Sequence, residues 1–309
     1  MSVSTKYGLY AVNAGGTVLG GITRQSISTG SVVQGEPTSG TAHKYVQMLM
    51  RQQPTASFST LSLATALGAV GESAANIGDM SGGLILYEQK HADGATRASG
   101  ANHRTVTINK GIIAPQNLSA SHADNASLGY QAWAVYNGSN DPLVLGESQS
   151  LPSLTGAGDS ERYGLGTVNV GGVSIDQIRG ITINFGLQVT TEGADGDYWD
   201  TFSSVESVAA SIQLNGINAE WFKSSVIPLI GKAATHANSY IYLRRRENDG
   251  TYVANGTSQH IKFTFSGLAV MESVFDASGN SAGSTSVNIP LHHDGTYNPL
   301  VVTLNTAIS

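Results

Sequence analysis

Residues 279–283 have the spacing of a hydrolase nucleophile elbow, Gly-x-Ser-x-Gly, with Ser281 in the position of the nucleophile. That chemistry requires a turn from a strand to a helix, followed later in the chain by an acid and a histidine. Here the flanking residues predict strands on both sides, and no acid stands between Ser281 and the pair His292-His293. We therefore interpret the segment as a loop, and a Ser281 hydrolase is the weaker alternative.

Two other segments contain residue types that could do chemistry. Residues 158–160 (Gly-Asp-Ser) are similar to an esterase block, but they lie in a stretch whose composition predicts a flexible connection. Residues 292–294 (His-His-Asp) could bind a divalent metal, yet adjacent strand residues point to opposite faces, so an exposed turn is preferred. The chain contains no cysteine, which removes disulfides and thiolate metal sites. We expect no catalytic residue, no metal and no cofactor.

Four carboxylates fall within nine residues of the second half of the chain. They could bind calcium, but their spacing is not that of a known calcium loop. A solvated loop, or a loop that contacts a basic partner surface, is the preferred interpretation. We expect contacts between subunits at the charged residues of this stretch and of its counterpart in the first half, namely Glu36, Lys44, Glu192, Asp195, Asp197 and Asp200.

Three consecutive arginines, Arg244, Arg245 and Arg246, form the densest basic group. Guanidinium groups bind phosphate well, so a phosphate site is one interpretation. Opposite an acidic loop, the same arginines could equally form half of a subunit interface. The first half has Glu-Gln-Lys at the corresponding positions 88–90, so any such role belongs to one half only.

The correspondence between positions arises because the chain repeats itself at an offset of 156 residues. Within positions 7–40, 13 residues are identical to those found 156 positions later, whereas chance would give roughly two or three. The turn Gly15-Gly16, for example, recurs as Gly171-Gly172. The offset predicts two similar domains, at 1–150 and 163–309, joined by a linker at 151–162.

Alternation of apolar and polar residues predicts short strands throughout both halves. Residues 34–42 and 191–199 predict long loops or projecting hairpin tips. A strand pair is predicted for 44–52 with 56–61, and a second for 201–208 with 210–215. The expected fold is mainly β, with two tandem barrel or sandwich domains.

Helical spacing of apolar residues occurs once in each half. A short amphipathic helix is predicted in the first half by Leu61, Leu63, Leu67 and Val70. A second one is predicted in the second half by Ile217, Trp221, Phe222 and Val226. Each β domain is therefore expected to carry one short flanking α-helix.

The charge balance argues against nucleic-acid binding. Residues 1–150 contain 8 basic and 8 acidic residues, and residues 151–309 contain 8 basic and 14 acidic, which gives the net charge of −6. Stable binding to DNA would require excess positive charge. No apolar run approaches the ~20 residues of a membrane span, and the first residues lack a signal-peptide pattern. We expect a protein made in a cytoplasm, without a membrane partner.

A duplicated β architecture without a catalytic constellation resembles the tail tube proteins of long-tailed bacteriophages, in the variety whose trimeric rings imitate a hexamer. The resemblance covers both halves and rests on the order of the elements: an opening strand pair, a long loop, a second strand pair, a short helix and closing strands. It implies a structural virion protein whose rings stack into a hollow tube around one inner β-barrel. Tail-completion proteins of the same fold fit the resemblance equally.

The resemblance also implies partners and a location. The subunit would assemble in the host bacterial cytoplasm, and the finished tube would belong to the virion tail. Its partners would be copies of itself, the tape-measure protein, and tail terminator and baseplate proteins. DNA would pass through the tube transiently during ejection, and a neutral or acidic lumen would keep DNA from adhering. The loops at 34–44 and 191–200 would reach a neighbouring ring or subunit.

A different class of function is a surface binding module, such as a capsid decoration protein or a carbohydrate-binding β-sandwich. Trp133, Trp199, Trp221 and the 12 tyrosines could provide stacking platforms for sugars. A binding module predicts a monomer or small oligomer with a glycan ligand. The tube subunit predicts rings or filaments without a small-molecule ligand.

Overall fold

The computed structural model of the chain is mainly β, as the sequence predicts. It describes residues 6–37, 40, 42–91, 98, 100, 102–154, 161–194, 198–216, 227, 234–279, 283–293 and 298–308. Residues 6–149 are called the first half below, and residues 162–308 the second half.

The first half consists of short strands and one α-helix. Its strands are β1 (Lys6–Ala14), β2 (Thr17–Leu19), β3 (Ile22–Ser28), β4 (Ser31–Pro37), β5 (Lys44–Gln52), β6 (Thr55–Thr60), β7 (Ala75–Asn76), β8 (Leu84–His91), β9 (His103–Ile108), β10 (Gly111–Ser121), β11 (Ser127–Ala134) and β12 (Val144–Gln149). A 3-10 turn (Ile77–Asp79) follows β7.

The predicted helix of the first half is confirmed as α1 (Leu63–Val70). Leu63, Leu67 and Val70 are buried, as their helical spacing predicts. The helix ends at Gly71, whose N–H donates to the carbonyl of Leu67 and whose φ of 88° suits glycine.

The second half contains β13 (Arg162–Val170), β14 (Val173–Ile175), β15 (Ile178–Asn184), β16 (Leu187–Glu192), β17 (Phe202–Val208), β18 (Ser211–Gly216), β19 (Ala234–Arg246), β20 (His260–Asp276), β21 (Ser284–Pro290) and β22 (Leu300–Thr306). The second predicted helix, with Trp221 and Val226, lies outside the described residues. Arg162, assigned to the linker by sequence, is the first residue of β13.

The strands recur at the same offset as the sequence. Adding 156 to the bounds of β1, β2, β3 and β6 gives the bounds of β13, β14, β15 and β18. β12 and β22 likewise start 156 residues apart. Strand positions therefore correspond even where the side chains differ between the halves.

Outside its two-stranded hairpin, each half has two groups of hydrogen-bonded strands. In the first half, a five-stranded sheet has the order β12-β9-β8-β1-β2, and four strands have the order β3-β6-β11-β10. The second half repeats both arrangements, as β22-β20-β19-β13-β14 and as β15-β18-β21-β20. β20 takes part in both because residues 260–269 pair with β19 and β22, whereas residues 270–276 pair with β21.

One face of each sheet packs into a single cluster of buried apolar side chains. In β6, buried Ala56 and Phe58 alternate with half-buried serine and threonine, which is the pattern of a strand with one face in a core. Phe58 stacks on Tyr130 of β11 with ring centroids 5.3 Å apart. The core therefore positions the four-stranded sheets, whose opposite faces remain available.

The predicted pairing of 44–52 with 56–61 is wrong. β5 pairs with β4 in a hairpin, whereas β6 pairs with β3 and β11. The connection between β5 and β6 contains Pro54, which lacks the N–H that continued pairing would need. The second half repeats this arrangement, since β17 pairs with β16, and β18 pairs with β15 and β21, so the predicted pairing of 201–208 with 210–215 is wrong as well. The described residues of the predicted tips, 34–37, 40 and 42 and 191–194 and 198–199, lie in or next to the two hairpins.

Candidate assembly interface

The two halves meet at an antiparallel strand pair, β10 with β15, which joins their four-stranded groups into a run of eight strands within a sheet of 13. This run is called the eight-stranded sheet below. Leu118 lies opposite Ile183, and both side chains are buried. A backbone hydrogen bond of 2.7 Å from Ala126 N to the carbonyl of Tyr163 extends the contact to β13. This strand pair, called the in-chain joint, connects residues on the two sides of the predicted linker at 151–162. The division of the chain into two domains stays a prediction.

A second contact links the two hairpins and is called the hairpin lock. Arg51 donates from Nε and Nη2 to the two carboxylate oxygens of Asp200, at 2.8 and 2.7 Å. Gln53 Nε2 donates to the same carboxylate at 3.2 Å, and the hydroxyl of Thr191 donates to it as well. The side chain of Asp200 is only 1% exposed, so these donors compensate its buried charge.

The hairpin lock changes the acidity of Asp200. Burial opposes ionisation of this carboxyl, but hydrogen bonds from Arg51, Thr191 and Gln53 outweigh burial and lower its pKa below the ordinary 3.8. Such a group stabilises the fold above its unfolded pKa, and the contribution is lost as the pH falls through the folded pKa. The lock is therefore sensitive to acid.

We expect Asp200→Asn to lower the free energy of unfolding by about 2 kcal/mol at pH 7, and by less at pH 2, where the carboxyl of the unfolded chain is protonated. Urea denaturation of dilute protein at the two pH values measures the difference. Glu147→Gln, at an exposed position of β12, is the matched control that removes one carboxylate without touching the lock. Equal losses at both pH values would contradict this account of Asp200.

Next to the lock, residues 198–201 of the second half pack against the first half. Gln52 N donates to the carbonyl of Tyr198 at 2.7 Å. Trp199 Nε1 donates to Gln52 Oε1 at 2.8 Å, and the Trp199 ring lies 5.3 Å from the ring of Tyr136. The segment therefore fills a depression beside the end of β5, and Trp199 is half-buried there.

One edge of the eight-stranded sheet is bare: within the described residues, β3 pairs with β6 and with no other strand. A groove of about 480 Å³ lies beside it. Tyr7 in this groove is 38% exposed, whereas its counterpart Tyr163, covered at the in-chain joint, is 1% exposed. Oε1 of Gln25, also in the groove, is buried without a hydrogen-bond partner, and the counterpart Ile181 is buried in the core.

The opposite edge, residues 270–276 of β20, is also bare, since β21 is its sole strand partner in the described part of the chain. A hollow of about 440 Å³, lined in part by Glu72 and Ser73 of the first half, has Val208 and His293 of the second half in its lining. Val208 is 56% exposed. Their counterparts Gln52 and Tyr136 are covered by residues 198–201. The edge of β3 therefore corresponds to β15, and the edge of residues 270–276 corresponds to β10, the two strands that pair in the in-chain joint.

The face of the eight-stranded sheet away from the core is polar and almost uncharged. One row across five strands illustrates this property, with registered neighbours Ser127, Ser119, Thr182, Gln213 and Asn288. In β3, β6, β10, β11, β15, β18, β21 and residues 270–276 of β20, the charged residues are Arg24, Arg179, Glu272 and Asp276, which sum to zero. Such a face has little attraction for a polyanion.

Both hairpins expose apolar side chains. In β4–β5, Val33 is 61% exposed and Met50 is 48% exposed; in β16–β17, Phe202 is 60% exposed. A run of exposed apolar residues on a projecting hairpin is typical of a surface that contacts another protein.

Three of the predicted contact residues in the acidic stretch and its counterpart lie at the hairpin ends. Glu36 and Lys44 are exposed at the ends of β4 and β5, and Glu192 is exposed at the end of β16. Asp200 is instead buried in the hairpin lock. Asp195 and Asp197 lie outside the described residues.

The three arginines do not form one cluster with the acidic residues. Arg244 and Arg246 lie over the ring of Tyr252, with guanidinium carbons 4.6 and 4.9 Å from its centroid. Arg246 also donates to the Tyr252 hydroxyl at 2.8 Å. The side chain of Arg245 alternates with theirs on β19, where its backbone N–H donates to His260 Nδ1 at 3.1 Å. These contacts hold the end of β19 against the loop that follows it.

The residues with hydrolase or metal chemistry are not brought together in the described part of the chain. Ser281, Asp294 and residues 158–160 lie outside it. His292 lines the hollow at the end of the sheet, and no group of three or more potential metal ligands occurs among the described residues. The absence of a site remains an expectation for the rest of the chain.

Sequence reasoning missed Arg51 and Gln53, the cationic and amide donors of the hairpin lock. Their counterparts Ser207 and Ala209 differ, so the repeat gave no signal for them. A signal does exist in composition, because Arg51 and Lys44 are the two basic residues of β5, a strand with an apolar centre. Pairing of Arg51 with a carboxylate 149 residues away could not be read from local pattern.

A scan against protein-family models finds no matching family, and a search of curated proteins finds no relative. No helix among the described residues is long and apolar enough to cross a membrane. The geometry of the two bare edges therefore carries the functional argument.

Proposed function

We propose that the protein is a structural subunit that joins copies of itself, edge to edge, into rings that stack as the tail tube of a long-tailed bacteriophage. One observation carries this proposal: the chain completes the joint between β10 and β15 once, and no other described strand pairs with the two counterpart edges. The edge of β3 corresponds to β15, and residues 270–276 correspond to β10.

Such a contact is heterologous, because two different surfaces meet. Repetition of a heterologous contact gives a closed ring when the rotation closes and a helical filament when it does not. Three chains with eight strands each would give a closed sheet of 24 strands. Closure also removes the two bare edges, which would otherwise template unwanted strand pairing.

The polar face of the eight-stranded sheet supports a role as a conduit. The buried core lies on one face, so a ring closed with the core outward would line its lumen with serine, threonine, asparagine and glutamine. These side chains offer DNA no phosphate-neutralising charge, and DNA could therefore pass without adhering. The projecting apolar hairpins are the surfaces best suited to contact a neighbouring ring or subunit.

In this proposal the protein has no enzymatic activity. Its partners are copies of itself, the tape-measure protein, and tail terminator and baseplate proteins; assembly occurs in the host cytoplasm, and the tube belongs to the virion. A carbohydrate-binding module has less support because the ring nitrogen of Trp199 is bonded to Gln52 and its face packs on Tyr136.

Negative-stain microscopy of purified protein over a hundredfold concentration range tests the proposal. We expect rings at moderate concentration and tubes of uniform diameter at high concentration, with sedimentation velocity reporting the loss of monomer. Double-stranded DNA should not be retained by the tubes at low salt. A monodisperse monomer at every concentration would overturn the proposal and favour a surface binding module.

A further inference from the structure

We infer that the contact between successive chains copies the in-chain joint with its hairpin lock removed: residues 42–44 of one chain enter the hollow beside Val208 and His293 of the preceding chain. The same step would bring residues 270–276 of the preceding chain against β3 and its groove. This inference rests on the proposed function and specifies the surface by which two copies of the chain meet.

The entering segment is identified by the register of the hairpins. Glu36 pairs with Val46 as Glu192 pairs with Phe202, and both pairs lie 156 residues apart. Residues 42–44 of the first half therefore correspond to residues 198–200, which fill the depression beside Gln52 in the in-chain joint. Ala42, His43 and Lys44 are exposed at the hairpin end.

The receiving surface is identified in the same way. In the in-chain joint the segment rests on Gln52 and Tyr136. The offset of 156 makes Val208 the counterpart of Gln52, and the pairing of β21 with β18, one residue further along than that of β11 with β6, makes His293 the counterpart of Tyr136. These two residues line the hollow of about 440 Å³, and Val208 is 56% exposed. Val208 is therefore exposed at the position where the in-chain joint predicts contact with a neighbouring chain.

The groove beside β3, at the other end of the chain, lacks the strand that covers its counterpart. Its counterpart in the second half is closed by β10, which buries Tyr163 and Ile183. In the groove itself, Tyr7 and Ile27 remain partly exposed, and Oε1 of Gln25 is buried without a hydrogen-bond partner. A strand edge from a second copy supplies both apolar cover and backbone N–H donors at this place.

The hairpin lock is the part of the in-chain joint that is not copied. Arg51 and Gln53 correspond to Ser207 and Ala209 on the receiving surface. On the entering segment, Lys44 occupies the position of Asp200. Gly35 occupies the position of Thr191, and a Cβ added to Gly35 would lie 2.7 Å from Cδ of Lys44. The chain–chain joint therefore lacks the buried ion pair, and it dissociates before the in-chain joint opens.

Transplanting the ion pair tests this correspondence. Lys44→Asp alone places a carboxylate in the joint without a cation, and we expect it to raise the critical concentration for assembly about tenfold or more. Lys44→Asp combined with Ser207→Arg rebuilds the lock between chains, and assembly should return to the wild-type concentration or below it. Light scattering and sedimentation velocity measure the critical concentration.

A matched control separates the transplanted pair from a general effect of charge. Lys44→Asp combined with Ser204→Arg has the same net charge, but the counterpart of Ser204 is Met48, which is 40% exposed and outside the lock. This control should assemble as poorly as Lys44→Asp. Rescue by both arginine variants, or by neither while the wild-type protein forms tubes, overturns the inferred joint and leaves the proposed function standing. Failure of the wild-type protein to assemble overturns both.

Discussion

Ile27→Lys is expected to abolish assembly while leaving the chain folded. Ile27 is half-buried on the bare edge of β3, whereas its counterpart Ile183 is completely buried beneath β10. In the free chain a lysine at position 27 can extend its ammonium group into water. In the closed joint the same ammonium group would be buried without a partner, at a cost of roughly 3–5 kcal/mol.

That cost corresponds to an increase of about a hundredfold or more in the critical concentration. Sedimentation velocity measures assembly, and thermal denaturation of dilute protein shows that the fold is retained. Ser57→Lys is the matched control, because it adds the same charge one strand inward from the edge, on the polar face of β6. Assembly of Ile27→Lys at the wild-type concentration would show that β3 is not buried between chains.

The two tyrosines at equivalent positions should respond to truncation in opposite ways. Tyr163→Ala removes a ring that is 1% exposed, and we expect a loss of about 3–5 kcal/mol in the free energy of unfolding of the dilute protein. Tyr7 is 38% exposed and lies under the guanidinium of Arg104 at 4.5 Å, so Tyr7→Ala should cost about 1 kcal/mol.

In the assembled protein, truncation of Tyr7 should have a large effect, because the joint between chains covers Tyr7 as the in-chain joint covers Tyr163. Tyr7→Ala should therefore raise the critical concentration about tenfold or more despite its small effect on the monomer. Urea denaturation of dilute protein and light scattering of concentrated protein measure the two quantities. A Tyr7→Ala variant that assembles normally, or a Tyr163→Ala variant of unchanged stability, would contradict the equivalence of the two joints.

The sequence predicts much of the architecture, because the spacing of apolar residues and the repeated turn glycines can be recognised without knowledge of the tertiary structure. Helical spacing of Leu63, Leu67 and Val70 predicts α1, and the turn glycines at 15–16 and 171–172 lie between the paired strands β1–β2 and β13–β14. Pairing partners are less accessible. Alternation in 44–52 shows that a strand forms, but the choice between β4 and β6 depends on tertiary packing and on Pro54.

The candidate interface could be predicted only in outline. Charged residues at the hairpin tips indicate a contact region, yet the role of Asp200 depends on Arg51 and Gln53, which are distant in sequence and absent from the repeat. The bare edges have no sequence signature of their own, since β3 and β15 have similar patterns. What distinguishes them is whether β10 lies beside them.

Amide hydrogen exchange in the free and assembled protein tests the central claim most directly. Backbone amides at a bare strand edge exchange rapidly, and pairing with another strand protects them. We predict that assembly protects residues 22–28 of β3 and residues 270–276 of β20, while residues 55–60 of β6, already paired on both sides, change little. Tubes in which both edge segments exchange as fast as in the monomer would contradict joining of the chains through these edges.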